Sequence, residues 1–125
     1  MATRVLILEP DEDLLAEIVA YIRRTTDFDC EGTSTGDQCI KELRRFQPDI
    51  LVLEPSLPDE SSDAVLDAVA NSLNRAVLPV LVLTRMSHDP AETNHELIAE
   101  YLIKPQALAD VVDTIRRLAS HRDGK

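Results

Sequence analysis

The feature that most constrains this chain is residues 50–55, an apolar run that ends abruptly in a carboxylate and a proline. Branched apolar residues without polar alternation indicate a strand buried on both faces, as in a parallel sheet covered by helices. Periodicity alone does not exclude a buried helix, but Pro48 and the closing proline leave room only for a strand. The same pattern, an apolar run followed by Glu-Pro, occurs at residues 5–10. Two further runs, residues 80–84 and 101–105, have the same character.

Segments with helical spacing of apolar residues separate these strands. The weakest strand candidate is Phe28–Ser34, in which polar residues alternate with apolar or small ones as in an edge strand. Helices are predicted at residues 11–24, 35–46, 62–73, 89–97 and 107–120, the fourth being only about two turns long. This alternation predicts an α/β fold in one domain over residues 1–125. We expect a doubly wound five-stranded parallel sheet of flavodoxin-like order 2-1-3-4-5, with helices on both faces.

Four polar residues follow the predicted strands directly: Glu9, Glu54, Thr84 and Lys104. The carboxyl ends of parallel strands meet at one edge of the sheet, and open α/β folds place their sites there. We therefore expect the functional site between the ends of the first and third strands. The fourth strand and the loop after the fifth should flank it.

Composition narrows the classes of partner. The chain has 13 Lys and Arg against 23 Asp and Glu, a net charge of −10. Phosphate backbones repel such a domain, so we expect protein partners and no direct nucleic-acid binding. No apolar run approaches the roughly 20 residues of a membrane span. Cys30 and Cys39 fit neither a disulfide framework nor a zinc site, which favours reduced, buried or half-buried thiols and a cytoplasmic location.

The pattern of residues 48–54, Leu57-Pro58, Leu83-Thr84 and 101–105 resembles the receiver domain of two-component response regulators. The resemblance covers nearly the whole chain. It implies phosphoryl transfer from a histidine kinase to an aspartate that ends strand three, with Mg²⁺ held between that aspartate and an acidic pair ending strand one. By the same resemblance, Thr84 and Lys104 match residues that contact the phosphoryl group. Tyr101 matches an aromatic residue that turns inward on activation.

The chain departs from the family pattern mainly at the reaction site. Glu9 matches the first acid of the pair, but Pro10 replaces the second, and Glu54 replaces the acceptor aspartate. The Ile98-Ala99 pair stands where the family has Gly-Ala before strand five. We assign a degenerate acceptor pocket to Glu9, Pro10, Glu54, Ser56, Thr84 and Lys104, with Tyr101 as the switch or interaction position.

These departures affect both metal binding and phosphoryl acceptance. Mg²⁺ requires near-octahedral oxygen ligation, and Pro10 offers no side-chain oxygen. Glu54 is one methylene longer than aspartate, so its carboxylate overshoots by roughly 1.5 Å. Displacements of about that size can cost on the order of 10²-fold in a positioned reaction. We therefore expect Mg²⁺ binding to be lost or weak.

The leading hypothesis is a non-enzymatic, phosphorylation-independent receiver that binds protein partners in bacterial signalling. The alternative is an active receiver that accepts phosphate on Glu54 and recruits Mg²⁺ through Glu9 and Asp11. A small-ligand sensor using the vacated pocket is a third option. Glu54 itself is either a structural rim carboxylate paired with Lys104 or a mimic of the phosphorylated state. A homodimer, and a linker beginning at residues 120–125, remain open.

Overall fold

The computed structural model describes residues 2–57, 62–72, 78–84, 98–103 and 107–122. Strands and helices alternate through the first four strands. In chain order the elements are β1 (Arg4–Leu8), α1 (Glu12–Thr25), β2 (Asp29–Thr33), α2 (Gly36–Phe46), β3 (Ile50–Leu53), α3 (Ser62–Ser72), β4 (Val80–Thr84), β5 (Ile98–Ile103) and α4 (Leu108–Arg122).

The strands form one parallel sheet in the order β2-β1-β3-β4-β5. All residues of β3 and β4 are buried, because helices cover both faces and no position of a central strand reaches water. The predicted α/β fold with a parallel sheet and helices is confirmed. The strands β2 and β5 form the two edges of the sheet.

Each face of the sheet has its own apolar cluster. Side chains alternate along a strand, so neighbouring residues of β1, such as Leu6 and Ile7, enter different clusters. Ile7 belongs to the cluster that includes Ile18 of α1 and Ile115 of α4. Leu6 packs with residues of α2 and α3. The sheet is therefore sandwiched between α1 with α4 on one side and α2 with α3 on the other.

The start of α1 follows from its sequence. Asp11 is the N-cap, and its side chain accepts hydrogen bonds from the backbone N–H groups of Asp13 and Leu14, both at 3.1 Å. Acidic residues in the first turn and Arg23 with Arg24 in the last turn complement the helix dipole. The cap fixes where the chain leaves β1 and turns into the helix.

The residues 35–38 have the spacing of a capping box, which the structure forms only in part. Thr35 caps the helix through the N–H of Gln38 at 3.2 Å, as the sequence suggests. In a capping box the backbone N–H of the N-cap residue, Thr35, donates to the Gln38 side chain. Here Gln38 Oε1 instead accepts from the backbone N–H of Ser34 at 3.1 Å.

Two predicted boundaries also differ from the structure. Strand β5 begins at Ile98, so Ile98-Ala99 lies inside the strand and not before it. A register shift pairs Val80 with Ile98 and Leu81 with Glu100, leaving Ala99 as an extra residue that no alternation pattern signals. The helix α4 runs on to Arg122 because no helix breaker precedes Gly124. The predicted helix at 89–97 and Leu73 lie outside the described residues.

Candidate functional site at the carboxyl edge of the sheet

The two Glu-Pro repeats bring Glu9 and Glu54 side by side. Leu8 and Leu53 are paired in register, and the N–H of Glu54 donates to the carbonyl of Leu8 at 3.0 Å. Adjacent strands are separated by about 4.8 Å, so the two glutamate backbones are neighbours at roughly that spacing. Both residues stand at the carboxyl edge, where the sequence analysis expects the site.

Both carboxylates are buried: Glu9 is 3% exposed and Glu54 is 6% exposed. Each accepts a hydrogen bond from the backbone N–H two residues further on. Glu9 Oε2 accepts from Asp11 at 3.0 Å, and Glu54 Oε2 accepts from Ser56 at 2.9 Å. The repeated sequence therefore builds the same turn twice.

Sequence reasoning missed this turn, although its signal is present in the repeat. In Glu-Pro-X the proline has no N–H, so the first backbone donor after the glutamate belongs to residue X. A carboxylate at the end of a strand can fold over the proline and accept that donor. In this way Pro10 and Pro55 direct each glutamate onto its own loop and help to satisfy a buried charge.

The residues around Glu9 fit Mg²⁺ poorly. Pro10 has no side-chain oxygen, and Asp11 Oδ1 accepts from two backbone N–H groups of α1. One oxygen of Glu9 and one of Glu54 are already bonded to their loops. A magnesium site needs six oxygens at short, nearly octahedral positions. Within the described ranges, no group of three or more His, Cys, Asp or Glu side chains is arranged to hold a metal ion.

The other predicted site residues have separate positions. Thr84 ends β4 and is 1% exposed; because Leu53 pairs with Val82, Thr84 stands one residue further along the edge than Glu54. Ser56 is exposed. Tyr101 lies in β5 level with Val82, and its side chain is outside the described part of the chain, as is all of Lys104.

The two cysteines lie on different faces of the sheet. Both are free and buried, as the sequence analysis expects, with Cys30 in the cluster under α1 and Cys39 in the cluster under α2. Burial raises the pKa of each thiol to about 12, opposed by the charge of Arg23 at Cys30 and by a hydrogen bond with Thr33 at Cys39. Both thiols are therefore protonated and unreactive near neutral pH.

Comparisons with known proteins extend this description. No protein-family model matches the chain. The chain is 30% identical over 121 residues to the transcriptional regulatory protein PrrA of Mycobacterium leprae, covering 95% of this chain and 51% of PrrA. It is 31% identical over 116 residues to the sensory transduction protein RegX3 of Mycolicibacterium smegmatis, covering 91% of this chain and 49% of RegX3. The chain thus spans about half the length of these curated relatives.

Solved structures match over the full fold. The non-phosphorylated HemR receiver domain of Leptospira biflexa superposes with a TM-score of 0.80 at 24% identity, covering 94% of each chain. At this identity the likeness establishes the fold. In the described part of the chain, none of the helices has the length and apolar character needed to cross a bilayer.

Proposed function

We propose that this chain, whose relatives and fold support a response regulator receiver domain, works without phosphorylation as a protein-interaction module in two-component signalling. The observation that carries the proposal is the local structure of Glu54. In the receiver pattern an aspartate at this position accepts the phosphoryl group. Here a longer carboxylate is buried and bonded to the N–H of Ser56 at 2.9 Å.

The neighbouring position supports the same conclusion. Phosphoryl transfer depends on positioning and on neutralising the charge of the transferred group. Pro10 removes one carboxylate from the place where the receiver pattern has an acidic pair. Asp11, the nearest replacement, caps α1 through two hydrogen bonds. Recruiting Asp11 to a metal would release those helix N–H groups at a cost of about 1 kcal/mol or more.

The composition fits a module that acts by contact. The net charge of −10 favours solubility and complementary, basic protein surfaces. Glu54 carries one negative charge, whereas a phosphorylated side chain carries roughly −1.5 to −2. A carboxylate needs no phosphodonor, so in this proposal Glu54 supplies part of the charge of an activated receiver. We propose a non-enzymatic role in which partners bind the conformation that contains the Glu54 carboxylate. A transient phosphoryl group is not required for this binding.

The test is a Mg²⁺ titration followed by intact-mass measurement with a small phosphodonor. We expect no saturable Mg²⁺ binding at millimolar concentration and no gain of one phosphoryl group. A matched donor control is a receiver domain with an intact acidic pair and acceptor aspartate, treated in parallel. A stoichiometric, Mg²⁺-dependent mass gain that maps to Glu54 would establish the active-receiver alternative instead.

A further inference from the structure

Strand β2 lies at the edge of the sheet, and within the described residues no other strand pairs with its outer side. It is the first strand of the sheet, and the backbone groups of Asp29 and Thr33 bond inward to the β1 side. Along a parallel strand, the N–H and C=O groups of successive residues point to alternate sides. The backbone groups of Cys30 and Gly32 therefore point away from the sheet.

One of these outward groups is covered by a side chain. Arg23 Nη2 donates to the carbonyl of Cys30 at 2.7 Å. The helix α1 lies close enough for this because Gly32 has no side chain: a Cβ there would meet Leu15 Cδ1 and Val19 Cγ2, both at 3.0 Å. Arg23, in the last turn of α1, therefore reaches across β2 to its open edge.

We propose that Arg23 guards the β2 edge against pairing with β2 of a second copy of this chain. An antiparallel pair centred on Glu31 would place Cys30 opposite Gly32 of the second copy, and Gly32 opposite its Cys30. Residues with outward-pointing groups would then face one another, which is the geometry in which antiparallel residues exchange both backbone hydrogen bonds. By taking the Cys30 carbonyl in each copy, Arg23 removes one acceptor from each of the two pairs.

Side-chain charge adds a second obstacle to the same pairing. Glu31 would lie directly opposite Glu31 of the second copy, and like charges at such positions destabilise a sheet. Glu31 pairs within its own chain with Arg45 at 3.1 Å. A cleft of about 180 Å³, lined by Glu31, Gly32 and residues of α2, lies beside this part of β2. In this proposal, the hydrogen bond from Arg23 and the charge of Glu31 together oppose pairing of β2 with a second copy.

The test compares Arg23→Ala/Glu31→Gln with Arg24→Ala/Glu31→Gln. Both have the same formal charge, and both lose an arginine from the last turn of α1. The guanidinium of Arg24 stacks 5.5 Å from the centre of the Tyr21 ring, so its loss leaves the β2 edge covered. Sedimentation velocity measures the molecular mass of each variant as a function of its protein concentration. Amide exchange by NMR reports the outward N–H groups of Cys30 and Gly32.

We expect the Arg23 variant to dimerise at a concentration at least ~10-fold lower than the Arg24 variant. In the dimer, exchange of the Cys30 and Gly32 amides should slow by at least ~10-fold. Arg23→Lys/Glu31→Gln retains a donor and should behave as the Arg24 variant does. Circular dichroism checks that each variant is folded. If Arg23→Ala/Glu31→Gln is unfolded, Arg23→Ala alone is measured at high salt, which screens the repulsion between the two Glu31 side chains. Equal masses for the Arg23 and Arg24 variants, or a dimer that leaves both amides unprotected, would overturn the proposal.

Discussion

At the scale of single residues, burial determines the chemistry of the side chains more than residue type does. The strand-end glutamates are buried and bonded to their own loops, and the two cysteines are buried as thiols. Sequence reasoning predicted which residues end the strands. It did not predict that each glutamate accepts the N–H two residues on, because this bond depends on the path of the loop after the proline.

The cysteines give a pH prediction. Burial raises the thiol pKa values of Cys30 and Cys39 to about 12 in the folded chain, whereas an unfolded thiol titrates near 8.5. Below about pH 8.5 the folded and unfolded states bind these protons equally, so the stabilisation is complete. Above it, the unfolded state loses protons first. Each thiol should then lower the free energy of unfolding by about 1.4 kcal/mol per pH unit.

Urea denaturation between about pH 8.5 and pH 10.5 measures this slope. The double variant Cys30→Ala/Cys39→Ala is the control, because all other alkaline titrations remain. We expect the variant to start less stable and to lose stability less steeply. Identical slopes in the two proteins would show that the thiols titrate normally and are accessible to water.

At the scale of elements, the helix ends carry local signals that can be tested singly. Asp11 caps α1, so Asp11→Ala should lower the free energy of unfolding by about 1 kcal/mol, and Asp11→Asn by only a few tenths. Asp13→Ala, in the first turn but not the cap, should also cost only a few tenths. Chemical denaturation ranks the three. An Asp11→Ala effect no larger than that of Asp13→Ala would remove the cap from the account.

The end of α2 contains a residue in an unfavourable backbone conformation. Gln47 has φ 51° and ψ 65°, in the left-handed region, and Pro48 follows it and cannot continue the helix. A residue with a Cβ pays about 1 kcal/mol or more there, whereas glycine does not. Gln47→Gly should therefore raise the free energy of unfolding by about 0.5–1 kcal/mol.

Gln47→Ala is the matched control, because it shortens the side chain and keeps the Cβ. We expect its stability to stay close to that of the parent in the same denaturation experiment. A glycine variant that is less stable than the alanine variant would mean that chain entropy outweighs the backbone strain.

At the scale of the whole molecule, the sequence predicts the fold class well and the site only in part. Unbroken apolar strands such as β3 occur where both faces of a sheet are covered, so a parallel sheet between helices follows from residues 48–55 and the similar runs along the chain. The extra residue in β5 does not follow, because Ile98-Ala99 carries no bulge signal. The hydrogen bond from Arg23 to the Cys30 carbonyl does not follow from the sequence either. A basic residue in the last turn of α1 is already explained by the helix dipole.

Our central proposal is that this receiver-like fold lacks phosphoryl chemistry because of Pro10 and Glu54, two departures from the receiver pattern at one site. Restoring one position should restore little. Glu54→Asp shortens the acceptor but leaves Pro10, and Pro10→Asp returns a ligand but leaves an overlong acceptor. Because both act on one site, their effects should be strongly non-additive.

The most direct measurement is Mg²⁺ binding and Mg²⁺-dependent phosphoryl gain, by titration and intact mass, across the parent, both single variants and Pro10→Asp/Glu54→Asp. We predict that only the folded double variant binds Mg²⁺ at millimolar concentration and gains one phosphoryl group. Circular dichroism checks that each variant is folded, since Pro10→Asp also changes the entry into α1. A parent that already gains the group, or a folded double variant that binds no Mg²⁺, would contradict the account.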